Sequence, residues 1–257
     1  FSPSGTLKWF WDPLGYLYAS VGEGFRPPVF DELYHPNINY LASGQPLPAG
    51  FGNGESGNPD LSPERSESNE VGAAWEGARL TAKVAGYANL IHDYISNQID
   101  PSDGYWTYLN FPHVRILGGE TNLDWRLLPW IKPYASYTYQ DVRDTDTDSP
   151  IVGVLRQKLV GGLVLSLGGL SVDFNAKIVD RNAIRLPDNN ALNDPGETAP
   201  FAPDAPYTTL NAMLKTRWGE GVQAYASVQN MLNTPYSVLP GIPMEGIYFE
   251  SGVTKKF

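Results

Sequence analysis

The dominant pattern in the chain is alternation. Between residues 170 and 178, Leu170, Val172, Phe174, Ala176 and Ile178 occupy every second position, and Ser171, Asp173, Asn175 and Lys177 lie between them. A period of two places all the apolar side chains on one face of an extended strand and all the polar ones on the other. The same reading holds at 207–218 (Leu210, Ala212, Leu214 and Trp218 against Thr209, Asn211, Lys215 and Arg217) and at 222–229 (Val222, Ala224, Ala226 and Val228 against Gln223, Tyr225, Ser227 and Gln229). It recurs at 131–140, where Ile131, Ala135, Tyr137 and Tyr139 oppose Lys132, Ser136, Thr138 and Gln140. Helical spacing fits none of these segments.

Between such segments the breaks have two lengths. Asp12-Pro13-Leu14-Gly15, Glu76-Gly77, Leu128-Pro129-Trp130, Gly168-Gly169 and Gly219-Glu220-Gly221 are tight turns; stretches at about 25–65, 185–205 and 232–245 are long and rich in Pro, Asn, Asp and Gly. Strands are predicted near 5–11, 15–24, 66–76, 79–95, 105–127, 131–143, 151–167, 170–184, 206–218, 221–231 and 246–257. Tight turns at one end and long loops at the other, with strands of bilayer-crossing length or more, predict an all-β antiparallel transmembrane β-barrel. Trp9, Trp11, Trp75, Trp125, Trp130 and Trp218 fall beside the tight turns, as an interfacial aromatic girdle requires. The competing architecture is a soluble sandwich or propeller, in which the apolar face meets a protein core. Single-chain bacterial barrels have even strand numbers, so about eleven strands point to part of a larger sheet.

Composition narrows the chemistry. A formal net charge of -10 opposes a phosphate-binding surface, so nucleic acid is not an expected partner. No cysteine is present, which excludes disulfides, thiolate metal sites and cysteine nucleophiles. No run reaches the length of apolar residues that a spanning helix needs, leaving a closed barrel as the only way to cross a bilayer. The first residues have neither a basic start nor an apolar core of a secretion signal.

Two separated segments carry a family resemblance. Gly24-Phe25-Arg26-Pro27-Pro28-Val29-Phe30-Asp31-Glu32-Leu33-Tyr34 and Gly57-Asn58-Pro59-Asp60-Leu61-Ser62-Pro63-Glu64-Arg65-Ser66 resemble the paired FRAP and NPNL motifs of TonB-dependent outer-membrane receptors, with Pro27 where the family usually has Ala. Tyr108-Leu109-Asn110 with Ile116-Leu117-Gly118-Gly119-Glu120, and Val228-Gln229-Asn230-Met231-Leu232-Asn233-Thr234-Pro235-Tyr236, are similar to two further family elements. The terminal Phe257 is similar to the aromatic end by which such barrels are recognised for assembly, while Lys255 stands where Tyr is common. The resemblance covers about residues 5–257. It implies a Gram-negative outer-membrane protein whose 22-stranded barrel surrounds an N-terminal plug, and makes residues 1–257 the C-terminal part of the barrel, with plug and earlier strands absent. The implied partners are a small metal chelate or cobalamin as ligand, the TonB complex through the plug, outer-membrane lipid, and the barrel assembly machinery through Phe257.

The resemblance implies uptake of a ferric siderophore or cobalamin, with ligand captured by extracellular loops. Arg26, Glu32, Tyr34 and His35 on the first long loop are the candidate binding residues. Tyr40 and Phe51 join them there, and Tyr105 and Trp106 at another loop tip complete an aromatic rim. Haem is an alternative ligand, since His35 lies between the paired motifs where haem-importing relatives often carry an axial His. A soluble carbohydrate-binding or adhesion module is the alternative of a different class. Lys83, Lys132, Lys158, Lys177, Lys215 and Arg217 are expected on the inward, polar face.

No cofactor and no catalytic residue are expected. His35, His92 and His113 show no paired metal spacing along the sequence. Asp144, Asp146 and Asp148 have calcium-loop spacing, but Ser149 and Leu155 replace the Gly and Glu that an EF-hand loop needs, so a solvated hairpin tip is the default. Glu64 and Glu67, like Glu67 and Glu70, are three apart and face opposite ways on a strand, so neither couple forms a hydrolytic pair. Neither a nucleophile elbow nor a phosphate-cradling loop occurs.

Overall fold

The structure is a computed structural model, and it describes residues 2–39, 53–100, 102–151, 154–181, 206–218, 221–239 and 242–255. Eleven long strands form one continuous antiparallel meander: β1 (Ser4–Asp12), β2 (Gly15–Arg26), β3 (Glu64–Glu76), β4 (Leu80–Ile99), β5 (Tyr105–Trp125), β6 (Ile131–Asp144), β7 (Leu155–Leu167), β8 (Leu170–Arg181), β9 (Tyr207–Trp218), β10 (Val222–Gln229) and β11 (Tyr248–Lys255). Each pairs with its sequence neighbours. Short two-residue strands at Ile38–Asn39, Gly54–Glu55 and Ser149–Pro150 join the same sheet, and one five-residue helix, α1 (Phe30–Tyr34), follows β2. Among the described residues, β1 and β11 each pair on one side, so the sheet path is open.

Register turns the alternation into two faces. The row Leu17, Ala73, Val84, Thr121, Tyr137, Leu159 and Ile178 runs across seven strands, each residue opposite the next. Among the described residues this face is not covered by a second layer: Leu7, Val21, Val71, Val84, Phe174, Phe249 and Val253 are all exposed. Exposed side chains this apolar, in one contiguous band over a whole sheet, suit hydrocarbon and not water. The band ends at the long-loop side in charged rows, of which Glu23, Glu67, Leu90, Arg115 and Arg143 form one. At the opposite end Trp9, Trp11, Trp125, Trp130 and Trp218 remain exposed beside the tight turns.

The other face is polar and cross-linked. Tyr18 donates to Glu70, Lys83 lies 3.8 Å from Glu70, Tyr134 donates to Asp173 at 2.8 Å, and Asn211 donates to Asn175 at 2.8 Å. Lys83, Lys132, Lys158, Lys177, Lys215 and Arg217 all register onto this face. Several tyrosines here lie flat across a glycine on the neighbouring strand. Tyr18 covers Gly72, Tyr87 covers Gly118, Tyr134 covers Gly162 and Tyr225 covers Gly252, each pair directly opposite in register. A Cβ added at Gly162 would come within 2.3 Å of the Tyr134 ring, so the missing side chain is what lets the ring lie down and its hydroxyl reach the next strand.

The boundaries match the alternation closely for the long strands. β7 begins at Leu155 instead of 151, because Ser149–Pro150 forms a separate bridge to β6 after the turn at 145–148. β4 and β5, with 20 and 21 residues, are the longest. At about 3.3 Å per residue they run roughly 65 Å, and even tilted at about 45° they outreach a hydrocarbon layer of about 30 Å. Their upper part stands clear as a hairpin, and it positions the candidate site.

Candidate functional site

The site begins where β2 runs into two prolines. Pro27 and Pro28 have no N–H to give the ladder, so pairing stops at Arg26. The chain then makes α1, whose first turn holds Asp31 and Glu32, acidic residues favoured at a helix N-terminus. Glu32 is 9% exposed and turns back under the helix start: its Oε2 accepts the Val29 N–H at 2.8 Å, and its two oxygens accept Arg26 Nη1 at 2.8 and 3.1 Å. From the other side, Arg26 Nε and Nη2 donate to the two oxygens of Glu64 at 2.7 and 2.8 Å.

Arg26 is therefore a clamp between the two motif segments. Glu64, its register partner on β3, also accepts the Ile95 N–H at 2.7 Å. That bond extends the β3–β4 ladder one step past its last backbone pair, Arg65 with His92. Burial alone pushes the Glu64 carboxyl up, but the bonds from Arg26 and Ile95 outweigh it and hold the group below the ordinary glutamate range. The Arg26 guanidinium is correspondingly raised, through its bonds to Glu64 first and Glu32 second.

The described end of the first long loop, from Asn53 to Ser62, docks on the tall hairpin. β5 outruns β6, whose last pair with it is Val114 opposite Asp144, so the upper edge of β5 is open. Gly54–Glu55 fills it, pairing in parallel with Tyr105–Trp106, and Ile38–Asn39 pairs onto Gly54–Glu55 in turn. Asn53 N–H donates to the Gly104 carbonyl at 2.6 Å and Ser56 N–H to the Trp106 carbonyl at 2.9 Å. Asn58 then donates to the Tyr108 carbonyl at 2.9 Å, and Asn110 both accepts from Ser62 N–H at 2.8 Å and donates to the Ser62 and Asp93 carbonyls at 3.1 and 2.7 Å. Asp93, at φ 57°, stands across from Pro112, and the Asn110 amide takes up the carbonyl that Pro112 has no N–H to satisfy.

His35 ties α1 to this docked segment. Its Nδ1 lies 3.0 Å from Asp31 Oδ1 and its Nε2 3.2 Å from Glu55 Oε2. The Asp31 bond is the main cause of its pKa lying above the ordinary histidine value, burial opposes it, and the Asp31 and Glu55 charges add to it. Gly57 N–H donates to the His35 carbonyl at 3.1 Å. A Cβ at Gly57 would meet His35 N at 2.4 Å and Tyr34 N at 2.7 Å, which is why this position of the second motif segment is glycine.

The structure thus brings Arg26, Glu32, Tyr34, His35, Tyr105 and Trp106 into one assembly at the loop end of the barrel. Arg26 and Glu32 hold the loop's base, Tyr34 is exposed and pairs its ring with Phe30 at 5.1 Å, and Tyr105 and Trp106 carry the docked strand. Tyr40, Phe51 and Phe257 lie outside the described residues. Sequence reasoning missed Glu55, Glu64 and Asn110. A Glu beside the motif Pro63 and an Asn two residues from Pro112 were legible as residues, but only topology pairs them with Arg26 and Asp93. The three aspartates of the β6 turn do not converge. Asp144 accepts from Asp146 N–H and Thr147, Asp146 faces His113, and Asp148 faces Arg143. Among the described residues no group of three or more His, Asp or Glu side chains is arranged to hold a metal ion.

An open meander with an apolar outer band, a polar inner face and built-up loops at one end defines a piece of a large outer-membrane-type barrel. The family model described as TonB dependent receptor-like, beta-barrel matches residues 1–231, and the chain belongs to that family. It is 30% identical over 139 residues to the vitamin B12 transporter BtuB of Vibrio vulnificus (strain YJ016), a match covering 54% of this chain and 20% of that protein. In fold it is similar to the copper transporter OprC (TM-score 0.74, 19% identity, 98% of this chain and 38% of that one). It is also similar to the ferric enterobactin receptor PfeA of Pseudomonas aeruginosa (TM-score 0.70, 17% identity, 100% of this chain and 40% of that one). The chain spans about a fifth of the relative it matches in sequence and about two fifths of those it matches in fold. Members of this family are receptors and transporters of the Gram-negative outer membrane.

Proposed function

We propose that residues 1–257 form the C-terminal part of a TonB-dependent importer in the Gram-negative outer membrane, whose plug and remaining strands complete the barrel. The cargo is a scarce metal chelate, such as a ferric siderophore, or cobalamin. In this reading the chain acts by binding and does no chemistry of its own. Its inner face lines the path, its outer band meets lipid, and the TonB complex acts through the plug. Phe257 is the end read by the barrel assembly machinery.

The observation that carries this reading is the loop platform. A loop that starts at a charged clamp and is stitched along the β5 edge presents a preformed surface, which lowers the ordering cost of capturing a large ligand. Tyr34, Tyr105, Trp106 and Tyr40 are its candidate contacts, with His35 between Asp31 and Glu55, and Arg26 and Glu32 beneath. Haem ligation by His35 is the weaker reading, because both ring nitrogens already face carboxylates and iron would have to displace Glu55. The soluble binding module is set aside by family membership and by the uncovered apolar face.

Uptake by cells that carry the full-length receptor as their sole importer tests the reading. Labelled cobalamin and labelled ferric chelates are supplied in parallel, with the TonB complex active or inactivated. TonB-dependent accumulation of one cargo is expected, and accumulation of none, or accumulation indifferent to TonB, overturns the proposal.

A further inference from the structure

Away from the loop platform, on the outer face of the tall hairpin, two histidines from different strands meet. His92 on β4 and His113 on β5 are directly opposite in register. The His113 carbonyl accepts the Thr145 N–H at 2.9 Å, so its backbone polar groups point toward β6 and away from β4. His92 and His113 are therefore a non-hydrogen-bonded pair, the kind in which cross-strand side chains come closest. Their rings lie 5.3 Å apart, centre to centre, at an interplanar angle of 83°.

That separation has a chemical reading. Two imidazoles on one tetrahedral ion, with metal–nitrogen bonds of about 2.0–2.1 Å and ring nitrogens about 1.1 Å from the ring centre, place their ring centres roughly 5.2 Å apart. A second observation supports it. Asp146, on the β6 turn, holds His113 Nδ1 at 3.1 and 3.2 Å through its two carboxylate oxygens, leaving Nε2 as the ligating nitrogen. A carboxylate behind an imidazole is the usual arrangement that fixes the ring's orientation and raises its basicity toward a metal. Asp146 is itself held, its N–H donating to Asp144 Oδ1 at 2.9 Å.

We propose that His92 and His113, oriented by Asp146, bind one divalent transition-metal ion of the zinc class on the outer wall of the barrel, with water completing the coordination. The site lies two register positions beyond Leu90 and Arg115, where the apolar band gives way to charge, so the ion is open to the medium and not embedded in hydrocarbon. Arg65, opposite His92 on β3, and Arg115, two residues along β5, are the cations that oppose the bound ion; Asp146 and Glu67 offset them. It stands on the wall outside the bore and is independent of the cargo proposed above.

Zinc titration of the purified full-length receptor in detergent, followed calorimetrically, tests the site. Its heat-modifiable migration serves as the check that each variant is folded. Binding of zinc is expected, lost separately in His92→Gln and His113→Gln, weakened about 10- to 100-fold in Asp146→Asn, and unchanged in His35→Gln. Paramagnetic resonance of the parent protein with Cu²⁺ provides a readout that needs no variant, and two imidazole nitrogens on the copper are expected. Absence of zinc binding, binding that survives loss of either histidine, or a copper spectrum with one nitrogen overturns the proposal. Unchanged cargo uptake in the His92, His113 and Asp146 variants keeps this result separate from the transport reading.

Discussion

The guanidinium of Arg26 meets the carboxylate of Glu64 side-on, through Nε at 2.7 Å and Nη2 at 2.8 Å, at the position where the two strands that bracket the first long loop come together. The same guanidinium spends its remaining nitrogen, Nη1, on Glu32 in the helix after β2. Side-chain exposures of 11% for Glu32 and 13% for Glu64 leave both carboxylates dependent on this one cation. Removing it strands two negative charges in a poorly solvated place.

Arg26→Ala is accordingly expected to loosen the base of the loop by about 2–3 kcal/mol, below the 3–5 kcal/mol typical of a fully buried pair because Arg26 itself is 40% exposed. Hydrogen exchange at the Ile95 amide, which Glu64 accepts, reads this directly. Exchange roughly 30- to 150-fold faster is expected. Arg26→Lys is expected to recover only part of the protection, since an ammonium cannot make the paired bond.

The His35 latch predicts a pH dependence. Its folded-state pKa is raised, chiefly by the bond to Asp31, so the stability it contributes is complete below the ordinary histidine value near 6.5 and is lost as pH rises through the higher folded value. Proteolytic cleavage within residues 36–56 of the full receptor should therefore accelerate from pH 6 toward pH 9. In His35→Gln the rate, corrected for the protease's own pH profile, should be flat.

Gly57 has no room for a side chain against the backbone of Tyr34 and His35, whereas Gly161 on β7 has nothing within 4 Å of its Cβ direction. Gly57→Ala should displace the loop at a cost of about 1–3 kcal/mol and reduce cargo affinity, with barrel assembly intact. Gly161→Ala should alter neither. Equal effects of the two substitutions on cargo binding would contradict the docking geometry.

The outer band predicts a depth-dependent penalty. Val84 lies within the exposed apolar band, between Leu80 beside the tight turn and Leu90 at the charged row, and Lys83 lies beside it on the polar face. Val84→Arg is expected to destabilise by about 2–4 kcal/mol and to lower the yield of heat-modifiable protein in the outer membrane, while Lys83→Gln stays near neutral.

Most of the barrel was legible in the sequence because its physics is local. Alternation at Leu170–Ile178 and the tight turns at Pro13, Gly168 and Gly221 depend on neighbours a few residues apart, and all eleven long strands lie where that pattern puts them. The site was legible only as a list of residues. Arg26 and Glu64 are 38 positions apart, and Asn58 and Tyr108 are 50 apart, so no local signal joins them. The seam at Gly54–Glu55 follows from β5 outrunning β6, a fact of relative strand length that appears only once register is known. His92 and His113, 21 residues apart, have no metal spacing along the chain because the hairpin creates their proximity.

The central claim is that one face of this sheet meets hydrocarbon and the other does not. With no native cysteine, the chain accepts single substitutions to Cys along β4, from Ala82 to Leu90, each carrying a nitroxide label in the full-length receptor in lipid vesicles. Collision with dissolved oxygen should peak at 82, 84, 86, 88 and 90 and fall at 83, 85, 87 and 89. A profile without this two-residue period, or one in which the even positions collide preferentially with a water-soluble nickel chelate, would contradict the account.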